Sequence, residues 1–340
     1  MSDSRSEQLN TALEATEDVM ITLTCFQNYH RTSSLRRLAS LIAAFLVLVT
    51  ASAASAQQSF KTPEDAIGAL VTAVRANDWK GMLTVLGVDG ADIVSSGDKV
   101  ADAATRERFI AAYDAKHNVT MEGDSKATIV IGNEDFPFPI PLFRTKKGMW
   151  QFDTMAGRDE IVYRRIGRNE LDTIQSCLAY VDAQNEYAAK DRTGAGAGVY
   201  AQQIISAPGT KKGLYWPSAQ GEDASPLGEL VAKATVQGYR VGGGRTPYHG
   251  YYFKVLTKQG ADAHGGAINY VVNGKMIGGF ALVAYPADYG NSGLMTFIVN
   301  HEGTIFQKDL GRRTESIAAR ITEFDPDQTW KKVDPIPPPQ

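Results

Sequence analysis

Two periods of hydrophobic spacing divide this chain. Thr62-Pro63-Glu64-Asp65 is a helix start: Thr62 has a capping hydroxyl, Pro63 suits the first helical position, and the two acids suit the positive end of the helix dipole. Ala66, Ile67, Leu70, Val71 and Val74 then fall on one stripe at helical spacing. After Asn77-Asp78, Trp79, Met82, Leu83 and Leu86 make a second short stripe, and Thr105 to Lys116 predicts a third helix that buries Phe109, Ile110 and Tyr113. Beyond it the period drops toward two. Ala127 to Ile131 is a β-branched run bounded by Asp124 and Gly132. Pro137, Pro139 and Pro141 alternate with Phe138, Ile140 and Leu142; proline donates nothing to a ladder, so this stretch is an edge strand or an extended connector. Lys146-Lys147-Gly148 is a turn, and Met149 to Thr154 a strand holding Trp150 and Phe152. The expectation is an N-terminal α+β domain at residues 57–156, helices against a curled, cone-like antiparallel sheet.

The helical period returns after Gly157. Asp159 to Arg165 is helix-prone, Gly167 breaks or bends the helix, and Asn169 caps a new start. Leu171, Ile174, Leu178 and Val181 recur at three- and four-residue spacing, which predicts one buried face before the helix fades near Asp191. Residues 200–246 are polar and turn-rich, with a short helix from Pro226 to Ala234. Period two then appears in its cleanest form, in Tyr251 to Leu256, Gly279 to Tyr285, Leu294 to Asn300 and Thr304 to Lys308. The last two are joined by Asn300-His301-Glu302-Gly303, a tight hairpin loop with glycine where a left-handed residue is needed. Residues 157–324 therefore read as a second α+β domain, a long helix packed on an antiparallel four-stranded meander. Residues 325–340 form an extended, Pro-rich tail, expected to be mobile.

The first 56 residues follow neither pattern. Arg36-Arg37, an apolar run from Leu38 to Val49, and Ala54-Ser55-Ala56 before Gln57 have the layout of a secretory signal peptide. The run is shorter than the ~20 residues of a permanent anchor. A cleaved Sec-type signal is expected, cut after Ala56, with a periplasmic product that keeps no permanent membrane anchor. No cysteine follows the small residues, so a lipoprotein site is not expected. Translation starts at Met1 or at Met20: Asp3, Glu7, Glu14, Glu17 and Asp18 outweigh Arg5, the reverse of a positive leader. Cys25 leaves with the signal, so Cys177 has no disulfide partner and is expected as a small core residue of the helix. A formal net charge of −3 supplies no basic field for nucleic acid. Charged residues at 21% and apolar residues at 43% are those of an ordinary globular protein, and residues 57–340 are long enough for two cores.

No catalytic constellation, metal set or cofactor motif stands out. His117, His249, His264 and His301 lack metal-ligand spacing. Asp182 and Glu186, one helical turn apart, read as solvated carboxylates. The glycines from Gly194 to Gly198 follow no strand and lack the Lys-Ser/Thr of a phosphate loop, and Ser292 is a turn residue without a visible base. Three groups remain as candidates. Tyr248, His249 and Tyr251 form an aromatic cluster able to stack a ligand, although such residues also fill cores. Trp150 and Phe152 bound a pocket against the first helix within the cone. Arg164, Arg165 and Arg168 make a basic knot at the domain junction, for an anionic group or for acids across the boundary.

The N-terminal order of elements resembles the cone-shaped folds related to nuclear transport factor two, in which a helix such as Thr62 to Arg75 lies in the concave face of a bent sheet. Such folds host enzymes, carriers and structural modules alike. More specific strings are Arg164-Arg165-Ile166-Gly167-Arg168-Asn169-Glu170-Leu171, Tyr180-Val181-Asp182-Ala183-Gln184, and Gly278-Gly279-Phe280-Ala281-Leu282-Val283-Ala284-Tyr285-Pro286 with Tyr289-Gly290 and Gly293-Leu294-Met295-Thr296-Phe297. They resemble the centre of a bacterial family known as domain of unknown function 2950, over nearly all of the chain after the leader. That resemblance implies an exported bacterial protein and brings no catalytic residues with it. The C-terminal half, from Gly250-Tyr251-Tyr252-Phe253 through Ala284-Tyr285-Pro286 to Thr296-Phe297-Ile298-Val299-Asn300, is also similar to the globular heads of type IV pilins. It departs from them in placing a whole domain ahead of the helix. The function expected is a non-enzymatic binding or envelope-assembly module whose partner is an envelope protein or a small ligand. The alternative is a small-ligand carrier or enzyme that uses the pocket of the N-terminal cone.

Overall fold

The computed structural model describes residues 57–334, apart from 193, 195, 220 and 241–244. The expected signal peptide, both candidate start sites and residues 335–340 lie outside the described residues. Helix α1 (Pro63–Arg75) opens as its sequence predicts, with the Thr62 hydroxyl accepting from the Asp65 N–H, and buries Ala66, Ile67, Leu70 and Val71. Asp78 caps α2 (Trp79–Leu86). After the short α3 (Ala91–Val94) comes α4 (Lys99–Ala115), which starts at Lys99 and not at Thr105. Asp98 moves the start forward, because its carboxylate accepts from the N–H groups of Val100 and Ala101.

The N-terminal sheet comprises β1 (His117–Glu122), β2 (Lys126–Ile131), β3 (Phe136–Pro137), β4 (Leu142–Arg144) and β5 (Trp150–Phe152). All pairings are antiparallel, in the order β1-β2-β4-β5 with β3 beside β2. Pro137 sits in the two-residue β3, while Pro139 and Pro141 lie in the connector, as their missing N–H requires. Ile67, Leu70, Ile129, Leu142, Trp150 and Phe152 are among the residues of the core between helices and sheet.

Helix α5 (Thr154–Ala188) is the longest described element, 35 residues without interruption, and Asp153 caps it. Gly167 does not break it, and Asn169 lies inside it and not at a cap. A mid-helix glycine costs only about 1 kcal/mol relative to alanine, less than the packing on either side of it supplies. Asn169 is instead buried, with its Nδ2 donating to the Ser292 carbonyl at 2.9 Å. The buried face also departs from expectation. Ile174 and Val181 of the expected stripe are buried, but Leu171 and Leu178 are exposed, at 52% and 38%, and Val162, Ile166, Asn169, Thr173, Cys177, Tyr180 and Gln184 also face inward. These positions recur at three and four residues, as a packed seam must. The inward face extends beyond the apolar stripe because it is partly polar. Its polar members are satisfied: Thr173 bonds the Asn169 carbonyl, Tyr180 the Ala281 carbonyl, and Gln184 both the N–H and the carbonyl of Ala201. Burial pushes the Cys177 thiol up to about 12, which suits a core residue and not a reactive one.

Close to its start α5 passes the connector after β3. A Cβ on Gly157 would stand 2.4 Å from the Pro139 carbonyl oxygen, so only glycine permits this approach. The second half of α5 lies on the C-terminal sheet. That half of the chain contains β6 (Gln203–Ile205), β7 (Gly213–Tyr215), α6 (Gly228–Val236), β8 (Tyr251–Leu256), β9 (Ala281–Pro286), β10 (Met295–Asn300), β11 (Ile305–Asp309), α7 (Thr314–Ala318) and β12 (Lys331–Lys332). Strands β8 to β11 are the predicted antiparallel meander. The tail adds a fifth strand: Lys331 and Lys332 pair with Gln307 and Phe306, and Trp330 packs on the core of this sheet. The described part of the tail is therefore docked. The architecture is α+β, with one helix shared between two cores.

Candidate binding site

The residues from Tyr239 to Tyr251 carry most of the chemistry that the core does not absorb. Tyr239 follows α6 and is buried. Its hydroxyl donates to Asp98 Oδ2 at 2.8 Å. The Gly250 N–H donates to the same oxygen at 3.0 Å, while Asp98 Oδ1 caps α4. Asp98, only 1% exposed, thus accepts from four donors and ties the start of α4 to the loop ahead of β8. That satisfies a buried carboxylate. Burial, then the Asp98 charge, raises the Tyr239 phenol, so it stays protonated and remains a donor.

His249 and Gly250 have positive φ, 48° and 74°. The turn needs glycine at 250, where a Cβ would lie 2.6 Å from Asn169 Nδ2. It swings His249 back against Tyr248, ring centroids 4.2 Å apart, and Tyr239 stands 5.0 Å from Tyr248. His249 Nδ1 meets Asp172 Oδ2 at 3.2 Å. Burial lowers its pKa, opposed by Asp172 and Asp98. Ser176, one turn along α5 from Asp172, uses its hydroxyl on the Asp172 carbonyl.

Beneath this aromatic corner lies a cleft of about 280 Å³. Ser176 and Tyr180 of α5, Leu230, Val231 and Ala234 of α6, Phe253 of β8 and Leu282 of β9 form its walls, with Tyr239 and Tyr248 at one end and Arg240 on the rim. The α6 wall buries no residue fully. The cleft is apolar inside with a few hydrogen-bonding groups at the edge, the usual composition of a small-molecule site.

The candidates read from the sequence separate here. Tyr248 lines the cleft and His249 backs it. Tyr251 is wholly buried beneath β10, its hydroxyl on the Met295 carbonyl, and belongs to the core. Trp150 and Phe152, 5% and 1% exposed, fill the N-terminal core and do not reach this cleft. The three arginines are not brought together. Arg164 pairs with Glu160 at 2.5 Å over the Phe136 ring. Arg165 turns inward to the carbonyls of Asp92 and Ile93 and to Asn291 Oδ1, linking α3 to the loop before β10. Arg168 is exposed, near Arg108, whose pKa is lowered by burial and then by Arg168. The sequence marks α6 as a short helix but gives no sign that Tyr239 and Asp98 meet beside it. Asp98 carries a capping signal, but nothing local shows that its second oxygen serves a turn 152 residues away.

The model of the family described as Protein of unknown function (DUF2950) matches residues 57–333. No curated protein and no solved structure matches the chain.

Proposed function

The chain belongs to this family, and we propose that it works as an exported, non-enzymatic binding module that receives an apolar group in the cleft beneath Tyr239 and Tyr248. The observation that carries the reading is the cleft itself. Leu230, Val231 and Phe253 stay half-buried around its open volume, against a core in which Tyr251, Leu282 and Phe297 are fully buried. The Asp98–Tyr239–Gly250 bonds hold one end of the cleft in shape before anything binds, which lowers the ordering cost of binding. Export is supported by the signal-like stretch at 36–57, and the family match begins at Gln57, the residue expected first after the cut. Envelope assembly is the version of this reading in which the apolar group belongs to another protein; the resemblance of the helix and meander to a pilin head supports it.

The test uses residues 57–340 and a thermal-shift series with short alkyl and aromatic molecules. A saturable rise in Tm that is lost in Val231→Arg, a variant that melts normally and places a charge in the cleft, is the expected result. Partner protein captured from a periplasmic extract, and lost with the same variant, would direct the reading to assembly. If Val231→Arg leaves every interaction unchanged, the cleft is not the site.

A further inference from the structure

A second pair of cavities lies in the other half of the molecule, under α4. One, of about 570 Å³, opens beside Trp79, Leu83, Ala91 and Lys99. The other, of about 230 Å³, is walled by Leu70, Val74, Leu86, Phe109, Phe138 and Ile161. Met82, Val94, Asp102 and Arg106 line both, so the two adjoin at these residues. The space exists because α4 is loosely seated. Asp102 is its only fully buried residue, while Phe109, Ile110 and Tyr113 are half-buried. For scale, an apolar cavity of roughly 150 Å³ accommodates benzene.

Among the described residues Arg106 holds no ion pair, in contrast to five other arginines of the fold. Arg75, Arg158, Arg164, Arg192 and Arg245 each meet a carboxylate. Half-buried Arg106 meets none among the described residues, and its one hydrogen bond is a long 3.5 Å contact to the Val94 carbonyl. Asp102, one turn earlier on α4, is occupied: its oxygens accept from the N–H and the hydroxyl of Ser96, at 3.1 and 2.6 Å. A guanidinium has five N–H donors in a planar fork that matches a carboxylate. Among the lining residues Arg106, Lys99 and Arg165 are cationic and Asp102 is acidic; Arg165 also has Asp92 and Asp288 near it, which leaves Arg106 and Lys99 to attract an anion.

We propose that the cleft beneath α4 binds an anionic amphiphile, a carboxylate on an aromatic ring or short alkyl chain, with Arg106 forked onto the carboxylate and Phe109 and Phe138 against the apolar body. This site is separate from the cleft beneath Tyr239, and neither reading depends on the other.

Calorimetric titration of residues 57–340 with octanoate and with 4-ethylbenzoate tests it, using octanol and 4-ethylbenzyl alcohol as uncharged counterparts. The expected result is saturable one-to-one binding of at least one carboxylate. Binding should be at least tenfold weaker for the matching alcohol and for Arg106→Gln, with Arg106→Lys between. Both variants change a partly exposed side chain, and unchanged melting curves confirm their folding. Failure of both carboxylates to bind overturns the proposal. So does equal binding by Arg106→Gln, or binding abolished by Val231→Arg, which would place the ligand in the other cleft.

Discussion

His249 and His264 carry opposite electrostatic signs. His249 faces Asp172, Asp98, Lys233, Tyr239 and Tyr248, and burial holds its pKa below the ordinary value near 6.5. Its neutral form is therefore favoured by folding. That contribution is complete above the unfolded pKa and is lost as pH falls through it toward the folded pKa, because the unfolded chain then binds more protons. His264 is raised by Glu302, 2.6 Å away, so its contribution is present below about 6.5 and lost as pH rises through the folded value. It is 87% exposed at the side chain, and solvent screening keeps its effect small. Urea midpoints between pH 7.5 and 5.5 should fall on acidification. His249→Gln should flatten that slope, and His264→Gln should leave it unchanged or slightly steeper. A slope unaltered in His249→Gln would contradict the assignment. The histidine was visible in the sequence as part of an aromatic cluster. Its carboxylate neighbours were not, because Asp98 and Asp172 come from distant helices and meet it only after folding.

Among elements, α5 separates what local pattern can and cannot reveal. Its existence, its extent beyond Asn169 and the meander it rests on follow from spacing alone. Its continuity through Gly167 and the polar part of the face it buries do not. Periodicity counts apolar residues, and here the inward face spends positions on Asn169, Thr173 and Gln184 while leucines stand outside. The two glycines of the helix provide a direct test. Gly167 is exposed with nothing within 4 Å of an added Cβ, so Gly167→Ala should raise stability by about 0.5–1 kcal/mol through helix propensity. Gly157→Ala must displace the Pro139 carbonyl and should lower stability by about 3 kcal/mol or more, despite the same gain in propensity. Denaturant unfolding of the two variants measures both. Equal effects would mean that the approach of α5 to the Pro139 connector is not as close as described.

For the whole molecule, the expected boundary at residue 157 falls just inside α5, a rigid helix that enters both cores. Asp98 and Arg165 add polar ties across the same region. We therefore expect residues 57–340 to unfold in a single transition, with calorimetric and van't Hoff enthalpies equal. Two resolved transitions would show halves that melt independently. The clefts were legible only in part: Tyr248 lines one and the first helix of the cone, through Leu70 and Val74, lines the other, but volume left open by a lightly seated helix has no sequence pattern. The polar seam of α5 has a consequence for how many arrangements the chain can adopt. An all-leucine seam can slide along a sheet by one heptad, roughly 10 Å, and still bury its apolar surface. Asn169, Tyr180 and Gln184 each meet one acceptor at one height, Ser292, Ala281 and Ala201. A slide would orphan all three inside the protein, at about 1–3 kcal/mol for each. The seam thus trades some adhesive strength for uniqueness of register, leaving the helix a single seat from which both halves take their alignment.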